Sequence, residues 1–203
     1  MTEMLNFILD LIFPKFCAGC DRLGTYLCHR CYEDIDFYPF PIKNEIIVTA
    51  KYEGIIRKLL ITFKYKNIKG IGKTLARLVY HTTALPKVEI ITSVPLHPKR
   101  KSQRGFNQAT EIAQELSRIT QTPFSKLLIR TRHLPAQASI SDKQQRLKRL
   151  ENVFEATQKV FNFGSVLIVD DVTTTGTTLN ECAAVLKKAG VKQVYSLAIA
   201  HGS

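Results

Sequence analysis

The chain is 203 residues long, enough for one core of ordinary size with a small appendage. Its 45% apolar content and near-zero mean hydropathy exclude an intrinsically disordered chain, and no run reaches the ~18 apolar residues that cross a bilayer as a helix. A net charge of +12 and a pI of about 9.6 point to a polyanion (nucleic acid, a nucleotide, a polyphosphate or an acidic membrane surface), with an inert basic surface as the alternative.

The segment Met4–Phe13 is apolar almost all round but carries Asp10. It has no basic leading segment and no small-residue cleavage site, so it reads as a helix packed on the main body or on a partner rather than as a signal peptide. An interfacial membrane helix is the alternative, weakened because Lys15 is its one basic flank. The expectation is a cytoplasmic protein with reduced thiols, peripheral association with a membrane being left open.

Four of the five cysteines follow within one short stretch, as Cys17-Ala-Gly-Cys20 and Cys28-His-Arg-Cys31. Each Cys-x-x-Cys lets a tight turn aim two sulfurs at one point, and two such turns supply four thiolates to a tetrahedral Zn2+ at about 2.3 Å. A reducing compartment argues against paired disulfides, and two pairs this close argue against a redox motif. Four thiolates leave no open coordination position, so the metal is structural and contributes to folding a segment with little core of its own. His29 reads as a bystander and Cys182 as a small core residue. A boundary near Pro39-Phe40-Pro41 divides residues 1–40 from a main body at 41–203.

In the main body, strands are expected at Ile46–Lys51, Glu89–Val94, Lys126–Arg130, Ser165–Asp170 and Gln193–Ala200. Helices are expected at Gly54–Lys66, Lys73–Ala84, Phe106–Thr120, Asp142–Leu150 and Thr177–Ala189. This alternation predicts an α/β fold, a mostly parallel sheet flanked by helices. The continuous apolar run Val166–Val169 suits a strand buried on both faces. Ligands of such sheets bind outside the carboxyl ends of the strands.

One strand ends in that position on Asp170-Asp171, then turns through Val172-Thr173-Thr174-Thr175-Gly176 into a helix that opens with Thr177-Thr178. The first-turn amides of a helix lack intrahelical acceptors and carry partial positive charge, so with threonine hydroxyls they hold a phosphate. Gly176 lets the backbone close around it, and the two carboxylates are placed to accept from sugar hydroxyls. The plain alternative is a threonine-rich helix cap with two solvated acids. The segment Val166–Thr178 resembles the 5-phosphoribosyl-1-pyrophosphate (PRPP) signature of type I phosphoribosyltransferases. It departs from that signature at Thr173, where an aliphatic residue is usual.

Further segments narrow the resemblance: Ser93-Val-Pro-Leu-His-Pro-Lys-Arg100 after a strand, Arg104-Gly-Phe-Asn-Gln-Ala109 opening a helix, and Arg149-Leu-Glu-Asn-Val153. With the cysteine pattern, and in this order, they resemble the ComF family of competence proteins from Cys17 to about Ala200. The resemblance implies a type I phosphoribosyltransferase-like domain preceded by a zinc finger. It also implies a part in uptake of transforming DNA, with single-stranded DNA met on the cytoplasmic side of the inner membrane and a ComFA-like helicase as partner. Val94–His97 would be the pyrophosphate loop, with Lys99, Arg100 and Arg104 near the diphosphate or a DNA backbone. Arg132–Gln145 would be the mobile loop of such sites. PRPP would come with Mg2+. No side chain stands out as a general base, and three readings stay open: PRPP binding with DNA handling, phosphoribosyl transfer to an unidentified acceptor, and a PRPP-sensing scaffold.

Positive charge is clumped at Arg57–Lys73, at Lys99–Arg104 and at Arg130–Arg149. Phe63, Tyr65 and Phe106 lie nearby and are candidates to stack the bases of a single strand. The alternative is a solvated helix face for each cluster and a core position for each aromatic ring.

Overall fold

The computed structural model describes residues 14–38, 46–66, 68–98, 102, 104–131, 153–158 and 163–202. The segment Met4–Phe13, the boundary expected at Pro39–Pro41, Lys99, Arg100, the segment Arg132–Gln145 and the helix expected at Asp142–Leu150 lie outside them. Along the chain come α1 (His29–Glu33), β1 (Ile46–Lys51), α2 (Gly54–Tyr65), α3 (Gly70–Thr82), β2 (Ile90–Ser93) and α4 (Gln108–Thr120). They are followed by β3 (Leu128–Arg130), β4 (Phe154–Ala156), β5 (Ser165–Thr173), α5 (Thr177–Lys188) and β6 (Gln193–His201).

Four strands form one parallel sheet in the order β1-β6-β5-β2. The central strand β5 buries Val166 to Val169 without interruption, as expected of a strand covered on both faces. Successive side chains point to opposite faces. Leu167 and Val169 therefore join Leu197 and Ile199 in a core covered by α2, α3 and α4. Val166 and Ile168 join Ala198 in a second core, covered by α5 and by the β3–β4 pair.

Helical spacing accounts for each cover. In α2 the buried positions are Ile56, Leu59, Leu60 and Phe63; in α5 they include Leu179, Cys182 and Leu186. Cys182 is a core residue, as its sequence context suggests. The chain enters α4 through Asn107. Its side-chain oxygen accepts from the Ala109 amide at 3.1 Å, and its amide nitrogen donates to the Val94 carbonyl at 2.9 Å, tying the helix start to the end of β2.

Several elements differ from the sequence expectation, among them α3, which starts at Gly70 and not at Lys73, and α4, which starts at Gln108 and not at Phe106. The strand at Lys126–Arg130 shortens to β3 and pairs antiparallel with β4, in the register Leu128↔Ala156 to Arg130↔Phe154. A three-residue strand such as β4 carries no readable period. The strand expected to stop at Asp170 continues to Thr173, held by β6 in the register Asp170↔Ala198 to Thr173↔His201.

Candidate functional site

Continuation of β5 past Val169 decides where the two carboxylates go. Asp171 keeps the parity of Leu167 and Val169, so it faces α2. There Lys64 Nζ meets Asp171 Oδ2 at 3.0 Å, with side-chain exposures of 17% and 15%, low enough for the pair to be little screened. Asp170 takes the opposite face, that of Ile168 and α5. Burial pushes Asp170 up to about 7, and the Asp171 charge adds to this. The Asp171 amide, which donates to Asp170 Oδ1 at 2.8 Å, acts against it, as do the charges of Lys64 and Arg130. The two acids thus occupy opposite faces at the carboxyl end of the sheet, Asp171 bound to a lysine and Asp170 raised to about 7.

Beyond them Thr173 is a buried strand residue, and the loop proper is Thr174-Thr175-Gly176. Gly176 adopts φ 74° immediately before α5, and a Cβ there would lie 2.6 Å from Ile46 Cδ1. Left-handed backbone and absent space together require glycine. The first α5 hydrogen bond runs from the Asn180 amide to the Gly176 carbonyl at 2.9 Å, so the amides of Thr177 and Thr178 precede the first helical donor. The hydroxyls of Thr175 and Thr177 are hydrogen-bonded to each other across the turn. Amides, hydroxyls and a helix N-terminus therefore converge beside the acids, which is the chemistry of an anion cradle.

The loop is braced from β6. His201 Nε2 lies 2.8 Å from the Thr174 carbonyl. A carbonyl only accepts, so Nε2 carries the proton, and Nδ1 accepts from the Tyr38 hydroxyl at 3.3 Å. Tyr38 itself is held to β1 through its amide and the Thr49 carbonyl at 3.0 Å, and the Gly202 amide donates to the Thr173 carbonyl at 2.9 Å. Sequence reasoning missed His201 and Tyr38, which stand far apart in sequence and belong to no local motif. It also counted Lys64 in a basic run facing outward. The signal was present: Lys64 follows the buried Leu60 by one helical turn and so shares its face.

Of the basic residues assigned to a diphosphate or DNA, Arg104 is described. One guanidinium nitrogen donates to Gln108 Oε1 at 3.3 Å, and the group lies 5.9 Å from the centre of the Tyr65 ring. Phe63 and Phe106 are not stacking platforms: both are buried, packed on each other with ring centres 5.2 Å apart. The apolar demand of α2 and α4 claims them. Tyr65, 74% exposed, keeps the stacking role open. Between the end of β2, α4 and β3 lies a cavity of about 550 Å³ bordered by Ser93, Leu96, Asn107 and Arg130, the arginine whose charge also reaches Asp170.

Cys17, Cys20, Cys28 and Cys31 come together as expected, their Sγ atoms all within 4.8 Å of one another. A tetrahedron with Zn–S bonds of about 2.3 Å has edges of about 3.8 Å, and Cys20 Sγ and Cys28 Sγ are 3.6 Å apart, so the donor set fits such an ion. All the cysteines are free thiols. The first pair sits in a turn closed by the Cys17 amide on the Arg22 carbonyl and the Asp21 amide on the Cys17 carbonyl, each at 2.9 Å. The second pair spans the start of α1, with Cys28 as its cap. Gly19 has no room for a side chain, because a Cβ would lie 2.5 Å from Cys31 Sγ. Burial raises the Cys17 thiol, but the amides of Cys28, Gly19 and Cys20 outweigh it and bring it down to about 6. That is the thiolate character a metal ligand needs. Burial and the three neighbouring sulfurs push Cys31 up to about 12. His29 pairs with Glu33 at 3.4 Å on the exposed side of α1 and takes no part.

Residues 102–202 match the phosphoribosyl transferase domain family, a span that contains α4, β5, the threonine loop and β6. Competence protein F of Haemophilus influenzae is 33% identical over 88% of this chain and 86% of its own length. DNA utilization protein YhgH of Escherichia coli O157:H7 is 33% identical over 88% of this chain and 80% of its own. Among solved structures, adenine phosphoribosyltransferase from Thermoanaerobacter pseudethanolicus aligns with a TM-score of 0.42 at 14% identity, covering 68% of this chain and 84% of that one. With a relative this similar along most of both chains, and a phosphoribosyl transferase domain behind a four-cysteine metal site, the chain belongs to the ComF family of competence proteins.

Proposed function

We propose that the protein binds PRPP at the end of β5 and serves natural transformation by handling incoming single-stranded DNA on the cytoplasmic side of the inner membrane. The observation that carries the reading is the division of Asp170 and Asp171 to opposite faces of β5 beside the Thr174–Thr178 cradle. A ribose 5-phosphate has the complementary groups: a phosphate for the amides and hydroxyls, and adjacent hydroxyls for the carboxyl pair. Mg2+ would accompany PRPP on its diphosphate, with Lys99, Arg100 and Arg104 supplying positive charge to that diphosphate or to a DNA backbone. The names of the relatives support the DNA part, one being a competence protein and the other a DNA utilization protein. So does the net charge of +12, because phosphate contacts need lysine and arginine and little sequence specificity. Zn2+ on the four cysteines would hold the N-terminal segment, residues 1–40, in shape for the main domain or for a helicase partner.

A melting curve with and without PRPP and Mg2+ tests the site. A ligand that binds the folded state alone raises its stability by RT ln(1 + [L]/Kd), about 2.7 kcal/mol at a hundredfold excess over Kd. Wild type is expected to gain several degrees, and the Asp170→Ala/Asp171→Ala variant none. Indifference of wild type to PRPP would overturn the reading.

A further inference from the structure

Two buried rings set an exposed pair. Phe63 and Phe106, with centres 5.2 Å apart, lock the last turn of α2 against the entry to α4. Two residues beyond Phe63 the chain presents Tyr65, and two residues before Phe106 it presents Arg104, which covers one side of the tyrosine ring at 5.9 Å. Tyr65 is 74% exposed, the most exposed large apolar side chain among the described residues. Gln108 Oε1 orients Arg104 by accepting from one of its nitrogens. A guanidinium carries five N–H groups, so donors remain for a second partner. The next cations along the chain, Lys66 and Lys69, are exposed. Immediately before Tyr65, Lys64 is committed to Asp171, so the platform adjoins the carboxyl pair.

We infer that Tyr65 and Arg104 form a stacking platform for a base of single-stranded nucleic acid, with Arg104 on one face of the ring, the base on the other, and backbone phosphate on Arg104. A protein partner fits less well, because an exposed aromatic ring backed by a guanidinium, with the exposed Lys66 next in the chain, matches the alternation of base and phosphate along a strand. The inference rests on the DNA-handling reading above and gives it an address next to the PRPP site.

The test is fluorescence anisotropy at one fixed salt concentration, with a labelled oligothymidylate and an abasic oligonucleotide of the same length, on wild type, Tyr65→Ala and Tyr65→Phe. Tyr65→Ala is expected to weaken oligothymidylate binding roughly tenfold, the loss of one base stack. Tyr65→Phe is expected to bind as wild type does, and the abasic strand to bind wild type and Tyr65→Ala alike. Stabilisation by PRPP should be the same in all three proteins, which shows that the fold and the neighbouring site are intact. Equal oligothymidylate affinity of wild type and Tyr65→Ala would overturn the platform alone. No binding by wild type would overturn the DNA-handling reading, and the platform with it.

Discussion

Asp170 is a carboxyl group that folding keeps protonated for longer than water would. Burial and the Asp171 charge raise it from 3.8 to about 7. Between those values the folded protein holds a proton that the unfolded chain has released. The contribution of Asp170 to stability is therefore full below about pH 4 and is lost as pH rises through about 7. Asp170→Asn removes the titration but keeps a side-chain oxygen for the Asp171 amide. In the absence of ligand, urea unfolding at about pH 8 should find Asp170→Asn more stable than wild type by about 1–3 kcal/mol, with the difference shrinking below about pH 7 and closing by about pH 4. A difference independent of pH would mean that Asp170 is not the titrating group. The adjacency of the two acids was legible in the sequence, but their inequality was not. It comes from strand parity, which gives Asp171 a lysine and Asp170 the α5 side of the sheet. Phe63 and Phe106 show the same limit. An aromatic ring beside lysines reads equally well as platform or core, and packing decides.

The threonine loop is short, yet its entry is held by the end of β6. That strand extends as far as β5 does, to His201 opposite Thr173, and its last side chain fastens Thr174. A loop tied in this way loses less freedom when a ligand arrives, so its affinity depends on the brace. His201→Ala removes two partly exposed hydrogen bonds, to Thr174 and to Tyr38, and should cost about 1–2 kcal/mol of stability, while the melting shift produced by PRPP should fall by more than that loss accounts for. Differential scanning fluorimetry at several PRPP concentrations separates the two effects. A variant that melts lower but keeps its full PRPP shift would show His201 to be purely structural. The sequence placed β5, the loop and α5 within a few residues because each carries its own signal: an apolar run, a glycine and helical spacing. It ended β5 three residues early because acids read as a strand end, whereas pairing with β6 carries the strand on. It did not find β4, which is defined by its partner β3 and not by its own composition.

The four-cysteine cluster and the threonine loop are joined through the body of the protein. The cysteine segment rests on the α2–α4 side of the sheet, where Ala18, Tyr26, Leu27 and Tyr32 pack against the larger core. Contact is close enough that a Cβ on Gly70, at the start of α3, would lie 2.7 Å from the Tyr26 ring. Ile55 at the start of α2 meets the cysteines themselves. From the same segment the chain passes Phe37, which bridges to Ala50 of β1, and reaches Tyr38, the hydroxyl partner of His201. The cysteines therefore support surfaces that the main core uses, and loss of their ion should be felt throughout. Metal binding of this kind is folding free energy, and removing a ligand returns the loss to whatever the segment supports. Treatment with a chelator, or Cys31→Ser, is expected to lower the melting temperature of the whole chain in one cooperative transition, with zinc content falling in step. Because Tyr38 hangs from this segment, PRPP should also stabilise the metal-free protein less than the loaded one. Two separate transitions, with the upper one unmoved and its PRPP response unchanged, would instead make the cysteine segment an independent module that merely leans on the domain.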